Sequence, residues 1–182
     1  MEYQLSQLEE HSNQQFSWIA FYEEFADKLR QFSSDRKSLI DKVKNTYRTI
    51  GMKLPTLETE NNIVDIDPFT IFALFNKGIT DSNRMKIIEG FKKEFSVEAD
   101  IPDNFGGIPV VDNRLATFYY FLNDRNDNDI DNLWGIFDAA FDYSQLDSEE
   151  FKSNFIDKFD TAIQNKGIKW NLTMGLYWIR PN

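Results

Sequence analysis

The chain has 182 residues, of which 41% are hydrophobic and 15% aromatic, with 17 phenylalanines and no cysteine. That length supports one domain with a well-filled core, and the absence of thiols excludes disulfides, thiolate metal sites and a cysteine nucleophile. A formal net charge of −10 is the wrong overall sign for a nucleic-acid binder.

Residues 1–15 are polar and weakly periodic, and they read as a flexible arm ahead of a domain spanning 16–182. The single histidine, His11, falls in that arm, away from any partner set for a Ser-His-Asp triad or a histidine metal site. Between Phe16 and Phe32 the apolar residues recur at helical spacing. Asp35 is placed to cap a second helix over 36–50, with Leu39, Ile40, Val43 and Tyr47 on its inner stripe and Gly51 at its end. Residues 54–65 are loop-like, and 63–66 could form a short extended piece.

Two helices joined by a tight turn are predicted over 67–95. Asp67 reads as an N-cap and Pro68 as the first helical residue. The helix that follows is apolar nearly all round, so it should be buried. Gly78 is expected to stop it in the left-handed conformation. Thr80 then caps a second helix, with Asn83 at N3. Ile79, Met85, Ile88, Phe91 and Phe95 mark its inner side, with Arg84, Lys86, Lys92 and Lys93 in water.

Pro102, Pro109 and the Gly106-Gly107 pair exclude a regular helix over 97–113, where 108–111 reads as a brief edge segment. Asn113 is placed to cap a helix over 114–122. After a polar loop at 124–129, helices are expected over 130–143 and 148–164, the latter with an acidic first turn and Gly167 beyond its end. The aromatic tail, 168–181, favours a short helix from about residue 171, with a strand as the open alternative. The fold class is therefore mostly α: a single-domain helical bundle of about six or seven helices, with room for one short β element. No apolar run approaches the roughly 20 residues of a membrane span, and no signal-peptide pattern opens the chain. A cytoplasmic protein without membrane contact is expected.

Charge is unevenly spread. Residues 28–93 hold thirteen basic against eight acidic side chains, whereas 98–160 hold fifteen acidic against four basic. A bipolar molecule can offer a local positive face despite its total charge. The turn at Gly78 is the best candidate for such a face. Its backbone N–H groups and the following helix N-terminus suit a phosphate. Lys77, Gly78, Thr80, Asn83, Arg84 and Lys86 are the candidate DNA-binding residues. The pattern is weakly similar to a helix-hairpin-helix motif, with Thr80 in place of the second glycine. The bland reading is an ordinary helical hairpin.

Trp170, Tyr177 and Trp178 are a candidate pocket for a flipped base, with core packing as the competing reading. The acidic run Asp124, Asp127, Asp129 and Asp131 lacks the glycine and closing glutamate of an EF-hand loop, so it reads as a solvated loop that caps a helix. Neither a metal site nor a catalytic set is assigned, and no phosphate-binding glycine motif occurs. No cofactor is expected.

Residues 65–80 (DIDPFTIFALFNKGIT), 129–134 (DIDNLW) and 166–181 (KGIKWNLTMGLYWIRP) resemble the region preceding the motor in McrB-like AAA-type NTPases of modification-dependent restriction systems. The resemblance spans residues 16–181. It implies a DNA-targeting front end in phage defence, followed by an AAA-type motor domain in the same chain and served by a nuclease subunit. The chain ends straight after a strongly hydrophobic run, so a fragment of a longer protein is expected. Without a Walker A lysine, this portion is expected to bind DNA without catalysis. The rival readings are a protein-interaction or assembly module of the same motor and, more weakly, a small hydrolase.

Overall fold

A computed structural model describes residues 16–59, 62–113, 116–146 and 148–181. Seven helices are present among the described residues: α1 (Ile19–Arg30), α2 (Arg36–Thr49), α3 (Pro68–Ala73), α4 (Asp81–Phe95), α5 (Asp129–Gln145), α6 (Glu149–Ala162) and α7 (Lys169–Ile179). The predicted arm, 1–15, lies outside the described residues. No helix is long and apolar enough to cross a membrane, again among the described residues.

The caps follow from short polar side chains at the right positions. Asp35, Asp67, Thr80 and Ser148 each accept a hydrogen bond from the backbone N–H three residues on, and each satisfies a donor that the first helical turn leaves free. Gly51 and Gly167 adopt positive φ beyond α2 and α6.

The core is built on phenylalanine. Phe25 of α1 meets Phe72, Phe75, Phe91 and Phe95 at centroid distances of 5.2–5.9 Å. Edge and offset contacts of this kind add about 0.5–1.5 kcal/mol per pair to the burial itself. Short α3 is buried along its whole length, as its uninterrupted apolar sequence requires. It packs on α5 and α7. Gly175 of α7 rests on Phe69 and Phe118, where a Cβ would come within 2.6 Å and 2.9 Å of the two rings. The end of α7 is anchored by Arg180, whose guanidinium lies 3.9 Å from the Phe141 ring centroid and donates to Asp27.

Helices α2 and α4 run antiparallel and close. Gly90 makes this possible, because a Cβ there would meet Thr46 Cγ2 and Ile50 Cγ2 at 2.8 Å. Helix α6 is different: it packs mainly on α5, and Ala162 is its one buried residue.

Three expectations are corrected. Residues 116–122 form no helix. Their backbone is held by distant side chains instead: Phe118 N–H donates to Thr70 Oγ1, and Leu122 N–H donates to Glu58 Oε1. Asn113 does not cap a helix there but donates to the Gly78 carbonyl at 2.7 Å. Gly78 is not left-handed, since the positive-φ glycines are 51, 107 and 167. The turn is made instead by Ile79 N–H donating to Lys77 O at 2.6 Å. Among the described residues, 63–66 forms no β-bridge, its Ile66 carbonyl accepting instead from Trp134 Nε1 at 3.0 Å, and 108–111 contributes a lone parallel bridge between Lys77 and Val111.

Candidate nucleic-acid interface

The structure does not gather the six candidate DNA-binding residues on one surface. Gly78, Thr80, Asn83 and Lys86 are exposed. Arg84 is not, and this corrects its assignment to the wet side of α4. It is 6% exposed, its Nε donates to Phe75 O at 2.9 Å, and its guanidinium lies 4.7 Å from the Phe105 ring centroid. The end of α3 leaves carbonyls without helical partners, and Arg84 serves one of them. Lys77 is half-buried, and burial lowers its pKa. The first residue of α4 is Asp81, with an 80% exposed side chain. Its carboxylate occupies the favourable field at that helix N-terminus.

The tail aromatics are likewise split. Trp178 is fully buried and donates through Nε1 to Pro109 O at 2.9 Å. Tyr177 is half-buried against Trp18, 5.7 Å between centroids, whereas Trp170 is 80% exposed. Sealed in, half-buried and in solvent, the three rings do not share one setting. The acidic run 124–131 is also divided: Asp129 is buried and accepts from Asn126 N–H, and Asp131 pairs with Arg36 at 2.6 Å. Among the described residues no group of three or more potential metal ligands comes together.

A positive surface does exist, on the α2–α4 pair. The outward ridge of α2 carries Lys37, Asp41, Lys44 and Arg48, spaced at three or four residues and all exposed. Beside it runs a groove walled by Asn45, Thr46, Thr49 and Ile50 of α2 and by Lys86, Glu89, Gly90, Lys93 and Glu94 of α4. The missing side chain at Gly90 opens its floor. Glu94 is paired within the wall with Lys42 at 3.4 Å and accepts a hydrogen bond from Asn45 Nδ2 at 2.5 Å. Lys44, Arg48, Lys86 and Lys93 then face two uncompensated acids, Asp41 and Glu89. None of these four cations forms an ion pair among the described residues.

Of this surface, only Lys86 is among the candidate DNA-binding residues, and Lys93 is among the side chains expected in water. A sequence signal was present, however. Lys37, Lys44 and Arg48 repeat at helical spacing opposite the apolar stripe of α2, and Gly90 interrupts α4 in the way that marks close helix approach. What could not be read was that α4 is the partner of α2.

Fold and surface together define a helical domain with a cationic interhelical groove on an otherwise acidic body. Residues 18–182 match the family described as Domain of unknown function (DUF8425), and the chain belongs to that family. No curated protein and no solved structure matches the chain.

Proposed function

We propose that this domain binds the phosphate backbone of DNA through the α2–α4 groove, without catalysis, as the recognition front end of a McrB-like restriction motor. The observation that carries the reading is the set Lys44, Arg48, Lys86 and Lys93, exposed and without ion pairs among the described residues, on two adjoining depressions of the α2–α4 pair that share Asn45 and Glu94. Ammonium and guanidinium groups so placed gain by releasing counterions from a polyanion. The two flanking acids and the acidic far side limit that attraction, which favours modest affinity with strong salt dependence. The motor in the same chain and the nuclease partner come from the resemblance in residues 65–80, 129–134 and 166–181, and they belong to the proposal.

Salt-titrated binding to a plain and a base-modified duplex tests it. Lys44→Ala with Lys93→Ala should weaken both complexes alike and flatten the salt slope by about one unit per lost phosphate contact. Lys77→Ala should change neither, because that side chain lies outside the groove. Undiminished binding by the double variant, or no binding by the unaltered domain at low salt, ends the proposal.

A further inference from the structure

Among the described residues, Arg30, Arg36, Arg84, Arg125 and Arg180 each pair with a carboxylate. The remaining described arginine, Arg48, lies on the α2–α4 pair and donates to the neutral Asn45 Oδ1 at 2.6 Å. Lys44, Lys86 and Lys93 share its surface and also lack ion pairs there. This surface therefore has unmatched positive charge to offer to a carboxylate as well as to a phosphate.

An acidic segment is tethered beside it. Ser17 Oγ donates to Asp103 Oδ1 at 2.5 Å, and Trp18 Nε1 donates to Gly106 O at 3.1 Å. Gly107, with φ +78°, leaves room for the Phe16 ring, which a Cβ there would meet at 3.1 Å. The same loop carries Phe105, whose ring packs on the Arg84 guanidinium in the first turn of α4. Residues 1–15 are thus attached at the N-terminal end of α4, and Lys86 lies two positions beyond Arg84 on the solvent side of that helix.

Those fifteen residues hold Glu2, Glu9 and Glu10 and neither lysine nor arginine. Extended chain covers about 3.3–3.6 Å per residue, so their reach is up to about 50 Å. Lys86 and Lys93 are separated by roughly 10 Å of helix, so the whole groove lies within reach. Asp81 and Asp103 stand beside the attachment point and repel the arm's carboxylates from it. The cations of α2 and α4 attract them.

We infer that the acidic segment 1–15 is an internal occupant of the α2–α4 groove, with Glu9 and Glu10 set against Arg48, Lys86 and Lys93, and that a polyanion must displace it to bind. This is regulation of the site proposed above for DNA. Its effect on DNA affinity rests on that reading, whereas the contact within the chain does not. Exposed ion pairs are individually weak, but a tethered segment meets its site at an effective concentration in the millimolar range. The expected inhibition is about three- to tenfold at low salt, and it fades as salt screens the pairs.

The first test needs no nucleic acid. The chain has no cysteine, so Ser6→Cys with Thr49→Cys supplies its one thiol pair and leaves every charge in place. Thr49 is exposed on the groove wall. Under mild diamide oxidation this disulfide should close within the monomer. Glu9→Gln with Glu10→Gln, or high salt, should slow its closure at least about threefold. Neither should change the control pair, Ser6→Cys with Ser153→Cys on the exposed side of α6. The second test is duplex binding by the full chain. Glu2→Gln with Glu9→Gln and Glu10→Gln should tighten it about three- to tenfold at low salt and not at high salt. Asp124→Asn with Asp127→Asn and Asp157→Asn removes as much negative charge from exposed positions elsewhere and should change it less than about twofold.

Salt-sensitive closure of the Ser6–Thr49 pair in a chain that binds no duplex would end the DNA reading and uphold this one. Closure indifferent to the Glu9 and Glu10 substitutions, or an equal gain in duplex affinity from the aspartate control, overturns the inference whether or not DNA binds. A disulfide that forms between chains and rises with protein concentration would give the groove to the arm of a second copy instead.

Discussion

The α2–α4 pair and the α5–α6 hairpin are both antiparallel helical pairs, yet they are held in different ways. Helix α4 contributes Ile87, Ile88, Phe91 and Phe95 to the core, and Gly90 lets α2 approach until backbone and methyl groups touch. Helix α6 keeps Phe151, Phe155 and Phe159 only half-buried. Its contact with α5 relies on a Tyr143–Phe155 stack at 5.6 Å and on the Lys158 stem lying over Gly135. The difference shows where charge is compatible with stability. Cations ride on a helix pair that the core already secures. Acids are carried by a hairpin that the core secures on one side only.

Four substitutions test that contrast, beginning with the largest expected effect. Arg125 and Glu58, with side chains 7% and 2% exposed, pair at 2.5 Å beneath the loop that leads into α5. Arg125→Ala leaves a carboxylate buried without its partner, and the expected loss is about 3–5 kcal/mol in denaturant titration. A loss below about 1 kcal/mol would show that the loop relaxes and that the α5 side is less tightly built than its burial implies.

Gly175→Ala drives a methyl into the Phe69 and Phe118 rings, for an expected cost of about 2–3 kcal/mol. A neutral result would mean that the phenylalanine core has slack. The third test is pH. Asp67 is completely buried, and burial raises its pKa to about 6 against the bonds it accepts from Thr70, which lower it. The folded state therefore holds the proton more tightly than the unfolded chain. Stability attributable to this group is full below about pH 4 and falls as pH rises through about 6, by on the order of 2 kcal/mol. Asp67→Asn keeps an oxygen for the cap and should erase that slope between about pH 4 and 6 in unfolding titrations.

Smallest in free energy is Phe155→Ala on α6, expected at about 1 kcal/mol because the ring is half-exposed. Its companion measurement is amide hydrogen exchange. The amides of α6 should exchange through local opening well before those of α1 and α2. Equal protection of α6 and α2 would remove the distinction between the two pairs.

Much of this architecture was legible beforehand, because the signals that encode it are local. Periodic apolar residues placed α1, α2, α4, α5 and α6, phenylalanines in all of them but α2. The Asp67-Pro68 and Thr80 caps located two helix starts to the residue, and the all-apolar face of α3 foretold its burial. The helix expected over 114–122 failed because Thr70 and Glu58, far away in sequence, capture backbone N–H groups that a helix would have used. Arg84 failed in the same way: its spacing puts it on an outward-looking position, yet the end of α3 supplies a carbonyl and Phe105 a ring to receive it.

The amino-acid sequence by itself determined the helical class, most helix boundaries, the division into a basic and an acidic half, and the phenylalanine core, since each depends on neighbours within a turn or two. Only the tertiary structure decided which cations share a surface, that Trp170 stands in solvent while Trp178 is sealed in, and that Gly90 and Gly175 are points of contact between helices. Those outcomes depend on which faces meet across the fold, and helix-to-helix pairing leaves no short-range periodicity from which it can be read.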